Sequence, residues 1–372
     1  MRIAIVTDSL SRGGAERQAL VTVRELARRG HTAELIYYHD APDSYDPATC
    51  APGRAVRLSK SGGPLGLLYR LRSHLRRGRF EVMHAFKEWP IVYGCLASRA
   101  AGIPARFASY RCQIAWPGIT RRALRVADRI ATAWLPNSRG VAETLVEYLG
   151  VRRERIQVVH NGLDPAAFRS ALSPDEARSR LGLATDAPTV TLLAALRPEK
   201  NHELFVRTAA LVARRRPAAR FLAVGDTGRD SAEYFDRIRR LVGELGVGDR
   251  VLFLGQRDDV AAILAATDVS ILTSDHEGLS NALIESMAAG RAVITTDYRG
   301  AEDVVTHHVD GLITPRNDAE ALAEHILALL DDPLRRAELG RAAMATVQNR
   351  FSLNAMTDRL LELYQHYLSQ TK

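Results

Sequence analysis

The stretch from Val269 to Ala289 reads VSILTSDHEGLSNALIESMAA. Its first five residues are mostly apolar and predict a buried strand of a parallel sheet. A helix is expected to follow, because four apolar residues recur at the spacing of one helical face: Leu283, Ile284, Met287 and Ala288. Gly290 is a natural end for that helix. The stretch therefore predicts a strand, a loop and a helix in succession.

The loop between this strand and this helix has the features of an anion-binding turn. Gly278 lets the backbone come close to a ligand, and Ser280 or Asn281 can cap the helix. The free amides of the first helical turn accept a phosphate. Glu277 and Glu285 can flank a bound anion, toward the two ends of an elongated ligand such as a nucleotide diphosphate-sugar. On spacing alone, both glutamates can equally be solvated residues at a favourable helix start.

The same succession of strand, glycine-containing turn and helix recurs in both halves of the chain. Strands are predicted at 3–7, 33–38 and 82–85, and again at 190–194, 220–224, 250–254, 269–273 and 292–295. A chain of 372 residues exceeds what one core normally supports. We therefore expect an α/β protein of two doubly wound, Rossmann-like domains that face each other across a ligand cleft. Turn formers at His160–Pro165 place the domains at 1–164 and 165–353.

Charge is divided unevenly between the halves. Residues 1–168 carry 26 Lys and Arg against 14 Asp and Glu, a net +12, whereas residues 169–372 carry 25 against 29, a net −4. Arginines recur among apolar residues at Arg121, Arg122, Arg125 and Arg129. That pattern fits peripheral contact with an anionic membrane. An ordinary solvated face is the competing interpretation, because 47 of the 51 cations are Arg.

Cysteine usage and the amino-terminal residues bear on the compartment. Cys50, Cys95 and Cys112 are widely spaced, which suggests a reducing compartment and no metal site. The first apolar run is too short for a signal peptide, and none approaches the length of a membrane span, about 18 residues. We expect a cytoplasmic protein, at most peripheral on the inner face of the membrane. No motif or aromatic pattern favours nucleic-acid binding.

The segment from Glu277 to Glu285 resembles the E-x7-E motif of the retaining glycosyltransferases of family 4, which have the two-domain GT-B fold. The resemblance extends to the hinge-like turn at 161–164 and to the terminal helix at 354–372, which in that family packs back on the first domain. It implies that Glu277 lies near the transferred sugar and that Glu285 holds the nucleotide ribose.

Further donor-binding residues follow from the resemblance. They are Gly278, Leu279, Ser280 and Asn281 in the loop, and Gly13 and Gly14, which resemble the family's Gly-Gly-x-Glu turn near the donor diphosphate and the acceptor. Lys200 resembles the family's lysine that neutralises the leaving diphosphate. Ala195 stands where the family usually has an arginine, so either Arg197 swings in or the enzyme relies on Lys200 and helix amides.

Two strand-end residues complete the predicted catalytic set with Glu277 and Lys200. His84 resembles a strand histidine of the family, and Arg111 stands where many relatives have a histidine near the anomeric carbon. Histidines at strand ends are more often packing residues than catalysts. A structural role for His84 is therefore the alternative.

The resemblance implies a retaining glycosyltransferase that moves a hexose-type sugar from a nucleotide diphosphate-sugar, with UDP expected, to a hydroxyl of a glycan, lipid-linked or small-molecule acceptor. No metal or other cofactor is expected, because helix amides and Lys200 would replace the metal. A sugar-nucleotide 2-epimerase of the same fold is an alternative, although its catalytic acids cannot be placed. A non-catalytic nucleotide-sugar-binding protein is another, because Ala195 and Arg111 depart from the family pattern.

Overall fold

A computed structural model describes residues 1–41, 44–113, 116–226 and 232–370. The chain forms two compact units, one of Met1–Gly162 with Leu353–Lys372 and one of Leu163–Ser352. The division falls two residues before the expected boundary after residue 164. The carboxyl-terminal segment belongs to the first unit.

The first unit is built on a parallel sheet. Its described strands are β1 (Arg2–Val6), β2 (Thr32–Tyr37), β3 (Ala55–Arg57), β4 (Val82–Phe86), β5 (Ala105–Ser109) and β6 (Ala133–Trp134). Its described helices are α1 (Gly14–Arg28), α2 (Pro47–Cys50), α3 (Gly63–Gly78), α4 (Glu88–Ala101), α5 (Gly118–Ile130), α6 (Arg139–Thr144) and, from the end of the chain, α14 (Leu353–Ser369). The strand order is β3-β2-β1-β4-β5-β6.

Both faces of this sheet are covered, which explains the continuous apolar runs in its strands. Successive residues of a strand point to opposite faces. Ala4 of β1 therefore joins a core that includes residues of α3 and α4, whereas Ile3 and Ile5 join a second core that includes residues of α1 and α14. All three side chains are fully buried.

The second unit repeats the design. Its described strands are β7 (Thr189–Leu193), β8 (Arg220–Val224), β9 (Val251–Gly255), β10 (Val269–Leu272), β11 (Ala292–Thr296) and β12 (Leu312–Thr314). Its described helices are α7 (Pro174–Arg180), α8 (His202–Arg215), α9 (Ala232–Glu244), α10 (Val260–Ala266), α11 (Asn281–Ala288), α12 (Ala319–Asp331) and α13 (Pro333–Thr346). The strand order is β12-β11-β10-β7-β8-β9, and the paired strands run parallel.

Strand order reverses at the centre of each sheet, between β1 and β4 in the first unit and between β7 and β10 in the second. The expectation of an α/β protein with two doubly wound units is thus confirmed. At such a reversal the chain leaves the two central strands in opposite directions, and a crevice opens beyond their carboxyl ends, where ligands of this fold class bind. No helix within the described ranges is long and apolar enough to cross a bilayer.

Candidate active site

The helix expected to bind an anion forms after β10. Ser280 Oγ caps α11 by accepting a hydrogen bond from the Leu283 amide at 3.3 Å. Leu283, Ile284 and Met287 are buried in the core of the unit and anchor the helix on its apolar face. The first-turn amides of such a helix have no partner within it and lie at the positive end of its dipole. The start of α11 is therefore suited to an anion.

Lys200 and Glu277 form an ion pair beside this helix. Lys200 Nζ lies 2.6 Å from Glu277 Oε1, which also accepts a hydrogen bond from Ser274 Oγ at 2.8 Å. Lys200 ends a 3-10 turn after β7, and Glu277 lies in the loop after β10. Because β7 and β10 are the central neighbours of the sheet, the ion pair lies at the reversal of strand order.

Both charged side chains are largely shielded from water. Lys200 is 21% exposed and Glu277 is 10% exposed. Removing either partner would leave a poorly solvated charge without compensation, which is costly. The two loops are also tied through backbone groups, since Thr273 Oγ1 donates to the Lys200 carbonyl at 2.8 Å and the Asp275 amide donates to the Glu199 carbonyl at 3.0 Å.

The remaining loop residues of the predicted donor site connect Glu277 to α11. Leu279 and Ser280 are buried, whereas Gly278 and Asn281 are partly exposed. Glu285 is half-buried in the second turn of α11. The structure thus brings these residues into one stretch beside Lys200, and their contacts with a donor stay predictions.

Arg197, one of the two alternatives for the charge of the arginine missing at Ala195, is exposed at the start of the 3-10 turn. Its side chain has no hydrogen bond or ion pair with any part of the chain that the structure describes. The backbone at Ala194 and Ala195 packs closely against Gly225, the residue after β8. A Cβ added to Gly225 would lie only 2.0 Å from the Ala194 carbonyl oxygen. Because no ion pair within the described residues holds this guanidinium, it can turn toward an anion.

Four predicted site residues belong to the first unit. They lie within its strands or in the segments that follow β1 and β5. Gly14 begins α1 and Gly13 is its N-cap, without a capping side chain. His84 lies within β4 and Arg111 two residues beyond β5. Their catalytic and donor-binding roles stay predictions.

His84 is fully buried and both of its ring nitrogens are hydrogen-bonded. Nε2 lies 2.7 Å from Ser109 Oγ, and Nδ1 lies 2.6 Å from Tyr364 Oη in α14. Ser109 Oγ donates to the Leu135 carbonyl, so it accepts from Nε2–H, and Tyr364 donates to Nδ1. Burial, with the nearby charge of Arg111, holds the pKa of His84 well below its ordinary value. This geometry favours the structural role.

Arg111 is a cation in an apolar setting. Its guanidinium carbon lies 4.7 Å from the centre of the Phe86 ring, and Nη1 donates to Asn161 Oδ1. Nε is buried and has no partner among the described residues. Burial lowers the pKa of Arg111 to about 9, which leaves it charged at neutral pH.

Two family models match successive parts of the chain. Residues 12–167 match Glycosyltransferase Family 4, and residues 173–346 match Glycosyl transferases group 1. The chain belongs to the family 4 glycosyltransferases. The E-x7-E segment and Lys200 lie within the second match, and Gly13, Gly14, His84 and Arg111 lie within the first.

Relatives of this glycosyltransferase include the D-inositol 3-phosphate glycosyltransferase of Acidothermus cellulolyticus, which is 29% identical over 97% of this chain and 87% of its own. The UDP-Gal:alpha-D-GlcNAc-diphosphoundecaprenol alpha-1,3-galactosyltransferase of Escherichia coli is 24% identical over 86% of this chain and 82% of its own. Among solved structures, HepE of Anabaena in complex with UDP has a TM-score of 0.89 at 23% identity, covering 98% of this chain and all of that one. That likeness confirms the GT-B fold.

One residue of the glycosyltransferase's second unit was missed in the sequence. Tyr298 lies two residues beyond β11, is almost fully buried, and has a hydroxyl without a hydrogen-bond partner in the described part of the chain. Burial raises its pKa well above the usual range, and the charges of Glu277 and Asp303 raise it further. A neutral hydroxyl donor is thus held near Glu277. The feature of the sequence that could have indicated Tyr298 is its position just after β11, the strand next to the central pair β10 and β7.

Among the described residues, no group of three or more His, Cys, Asp or Glu side chains is arranged to hold a metal ion. Catalysis without a metal stays a prediction.

Proposed function

We propose that this glycosyltransferase retains the anomeric configuration and moves a hexose from a UDP-sugar to a hydroxyl of a glycan, lipid-linked or small-molecule acceptor. The observation that carries the proposal is the Lys200–Glu277 pair beside the capped start of α11, at the reversal of strand order. A cation, a carboxylate and a helix N-terminus together suit a ligand with a diphosphate at one end and sugar hydroxyls at the other.

The substrates named for similar proteins support the donor and acceptor classes. HepE of Anabaena was crystallised with UDP and with UDP-glucose, and the E. coli relative is named for UDP-galactose and a diphosphoundecaprenol-linked sugar. The A. cellulolyticus relative is named for a phosphorylated inositol. A UDP-hexose and a hydroxyl of a lipid-linked or small phosphorylated acceptor are therefore the first substrates to test.

In the proposed reaction the diphosphate binds at the start of α11 and near Lys200. The lysine has three N–H donors, of which Glu277 takes one, so others can reach phosphate oxygens. Glu285 holds the ribose and Glu277 orients the sugar. The bond from the anomeric carbon to the diphosphate oxygen breaks while the acceptor oxygen bonds to the same face of that carbon. The acceptor proton passes to a diphosphate oxygen, and UDP leaves.

Charge stabilisation in this proposal comes from the chain itself. Lys200, the first-turn amides of α11 and, once it turns inward, Arg197 oppose the charge that develops on the leaving diphosphate. This set replaces a divalent metal, and we propose metal-independent transfer.

We also propose that the first unit contacts an anionic membrane surface when the acceptor is lipid-linked. On α5, Ile119 is 74% exposed and Val126 is 44% exposed, whereas Leu124 is buried. The exposed arginines of the same helix are Arg122, Arg125 and Arg129. Apolar side chains next to arginines on one short helix suit the boundary between lipid headgroups and acyl chains.

A sugar-nucleotide screen tests the proposal. UDP-hexoses should raise the melting temperature more than GDP- or ADP-hexoses, and the bound donor should then be consumed only with an acceptor. Nuclear magnetic resonance of the product should give the anomeric configuration of the donor. Inversion would contradict the retaining reaction. Conversion of the donor without an acceptor would identify an epimerase, and binding without turnover would identify a non-catalytic protein.

A further inference from the structure

A second lysine lies at the strand-order reversal of the first sheet. Lys87 follows β4, and its Nζ is 2.8 Å from Asp8 Oδ2 and 2.8 Å from Glu16 Oε1. Asp8 follows β1, the neighbour of β4, and Glu16 lies in the first turn of α1. One cation therefore joins the two central strands to the helix that begins at the Gly13–Gly14 turn.

The backbone of Lys87 has a conformation that favours glycine. Its φ is 74° and its ψ is 171°, a region that residues with a Cβ rarely adopt. The surrounding structure holds it there, since its amide donates to the Ser109 carbonyl at 3.1 Å and its carbonyl accepts from the Ile91 amide at 3.1 Å. A glycine would adopt this conformation without strain. The turn does not require a lysine, so the reason for one must lie in the side chain.

Glu16 links Lys87 to the Gly13–Gly14 turn, because it contacts both. Its side chain is only 5% exposed, and a Cβ added to Gly13 would lie 2.3 Å from Glu16 Oε2. The φ of Gly13 is −113°, which any residue can adopt, so the glutamate side chain and not the backbone conformation excludes a larger residue there. Ser11 Oγ also donates to Glu16 Oε1, at 3.1 Å. The carboxylate thus lies against the turn and is fixed from two sides.

The charge of Lys87 is maintained by its partners. Burial alone would lower its pKa, but the hydrogen bonds with Asp8 and Glu16 outweigh burial and raise the pKa. Without the ammonium, two shielded carboxylates would face each other with no cation between them. Glu16 would then lose the ion pair that helps to hold its side chain against the turn.

We propose that Lys87 is a positioning residue that, through Glu16, fixes the Gly13–Gly14 turn in the conformation that meets the donor. The inference rests on the proposed function and on the family resemblance, which implies that this turn lies near the donor diphosphate and the acceptor. Lys87 acts on Glu16 and need not touch the donor itself.

The test compares Lys87→Met, Glu16→Gln and the double variant, with Lys60→Met as the matched control, since Lys60 is an exposed lysine of the same unit. UDP affinity, kcat and the KM for the donor are measured well below every melting temperature. Lys87→Met should weaken UDP binding and raise the donor KM by about tenfold, the effect of losing one charged hydrogen bond. The double variant should be no worse than Lys87→Met, because both changes break one linkage. Lys87→Arg should restore part of the affinity.

Four outcomes would overturn the inference. If Lys87→Met melts earlier yet keeps wild-type UDP affinity and KM, the lysine has a purely structural role. Additive effects in the double variant would mean that it does not act through Glu16. Should Lys87→Met fail to fold, Lys87→Gly removes the ammonium and relieves the backbone strain, and wild-type affinity there would equally overturn it. If wild-type protein binds no sugar nucleotide, the proposed function itself fails and the inference fails with it.

Discussion

In the second unit, Lys200 forms an ion pair with one carboxylate, that of Glu277, beyond the ends of β7 and β10. In the first unit, Lys87 forms ion pairs with two carboxylates, those of Asp8 and Glu16, beyond the ends of β1 and β4. The single pair is neutral and leaves ammonium donors for an incoming anion. The triple cluster carries a net negative charge and uses its lysine internally. The same strand order thus supports a cation that can bind a ligand in one unit and a cation that holds a loop in the other.

Of the single substitutions, Lys200→Ala should have the largest effect on the rate of transfer. A small effect would contradict the contrast drawn between Lys200 and Lys87. We expect transfer to slow by about two to three orders of magnitude, because one preorganised charge opposite the leaving diphosphate is lost. Steady-state kinetics measure this, and the control Lys60→Met should behave as wild type. A Lys200→Ala enzyme with normal kcat would mean that the two lysines do not differ in role.

Metal removal belongs to the same experiment. EDTA should leave the wild-type rate unchanged, because the chain supplies the charge itself. If EDTA abolishes transfer and magnesium restores it, the metal-free proposal is wrong.

The buried histidines extend the comparison to pH. His84 has both nitrogens hydrogen-bonded, whereas neither nitrogen of buried His202 forms a hydrogen bond of ordinary length and angle in the described ranges. Burial lowers the pKa of His202 to about 4. The unfolded chain, with an ordinary histidine pKa near 6.5, binds this proton first on acidification, so stability is full above about pH 6.5 and falls as the pH drops toward 4. The difference between the folded and unfolded pKa values of His202 corresponds to about 3 kcal/mol in the free energy of unfolding.

Urea unfolding of wild type and His202→Leu at several pH values measures this contribution. The variant should lose less stability than wild type between pH 7 and pH 5. His84→Leu should instead be destabilised at every pH, because it removes the acceptor of the Tyr364 hydroxyl and the donor to Ser109 Oγ, which keeps only its bond to the Leu135 carbonyl. Parallel pH profiles for wild type and His202→Leu would contradict the first expectation.

Glu285→Ala tests the nucleotide end of the second unit. Removing a carboxylate that is hydrogen-bonded to ribose hydroxyls costs about 1.5 to 3 kcal/mol, and UDP and the UDP-sugar should weaken alike. Titration calorimetry with both ligands decides this. Unchanged UDP affinity would remove Glu285 from the site.

Membrane contact is expected to give the smallest effect for one substitution. Arg125→Ala should weaken binding to anionic vesicles by about 1 kcal/mol, roughly fivefold, while Arg240→Ala in the second unit should not. Donor affinity should be unchanged in both. Sedimentation at low and high salt is the measurement, since this attraction fades as the Debye length shortens. Equal binding to neutral and anionic vesicles would make α5 an ordinary solvated face.

Much of the fold could be predicted because buried parallel strands carry a clear pattern. The strand predicted at 220–224 agrees at both ends with β8, and the strand predicted at 269–273 is one residue longer than β10. Lys200 and Glu277, 77 residues apart, could be assigned to one site only through their resemblance to family 4 motifs. The structure joins them because loops after neighbouring parallel strands converge at one edge of the sheet.

The rest depends on contacts that a sequence pattern does not contain. The role inferred for Lys87 depends on its positive φ and on its contacts with two carboxylates that lie 71 and 79 residues away in the sequence. One of the two hydrogen-bond partners of buried His84 is a tyrosine 280 residues later. Tyr298 resembles any packing aromatic until the burial of its hydroxyl and the influence of Glu277 on its pKa are known. Each depends on packing between elements, which periodicity cannot report.

The membership of α14 in the first unit has a consequence for how the protein is made. Tyr364 of α14 closes over His84 and packs in the core beneath β1 and β4. During synthesis this helix emerges only after the whole of Leu163–Ser352, which is one continuous segment. The second unit can therefore complete its core first, while the face of the first sheet that α1 and α14 share stays only partly covered until α14 has been synthesised.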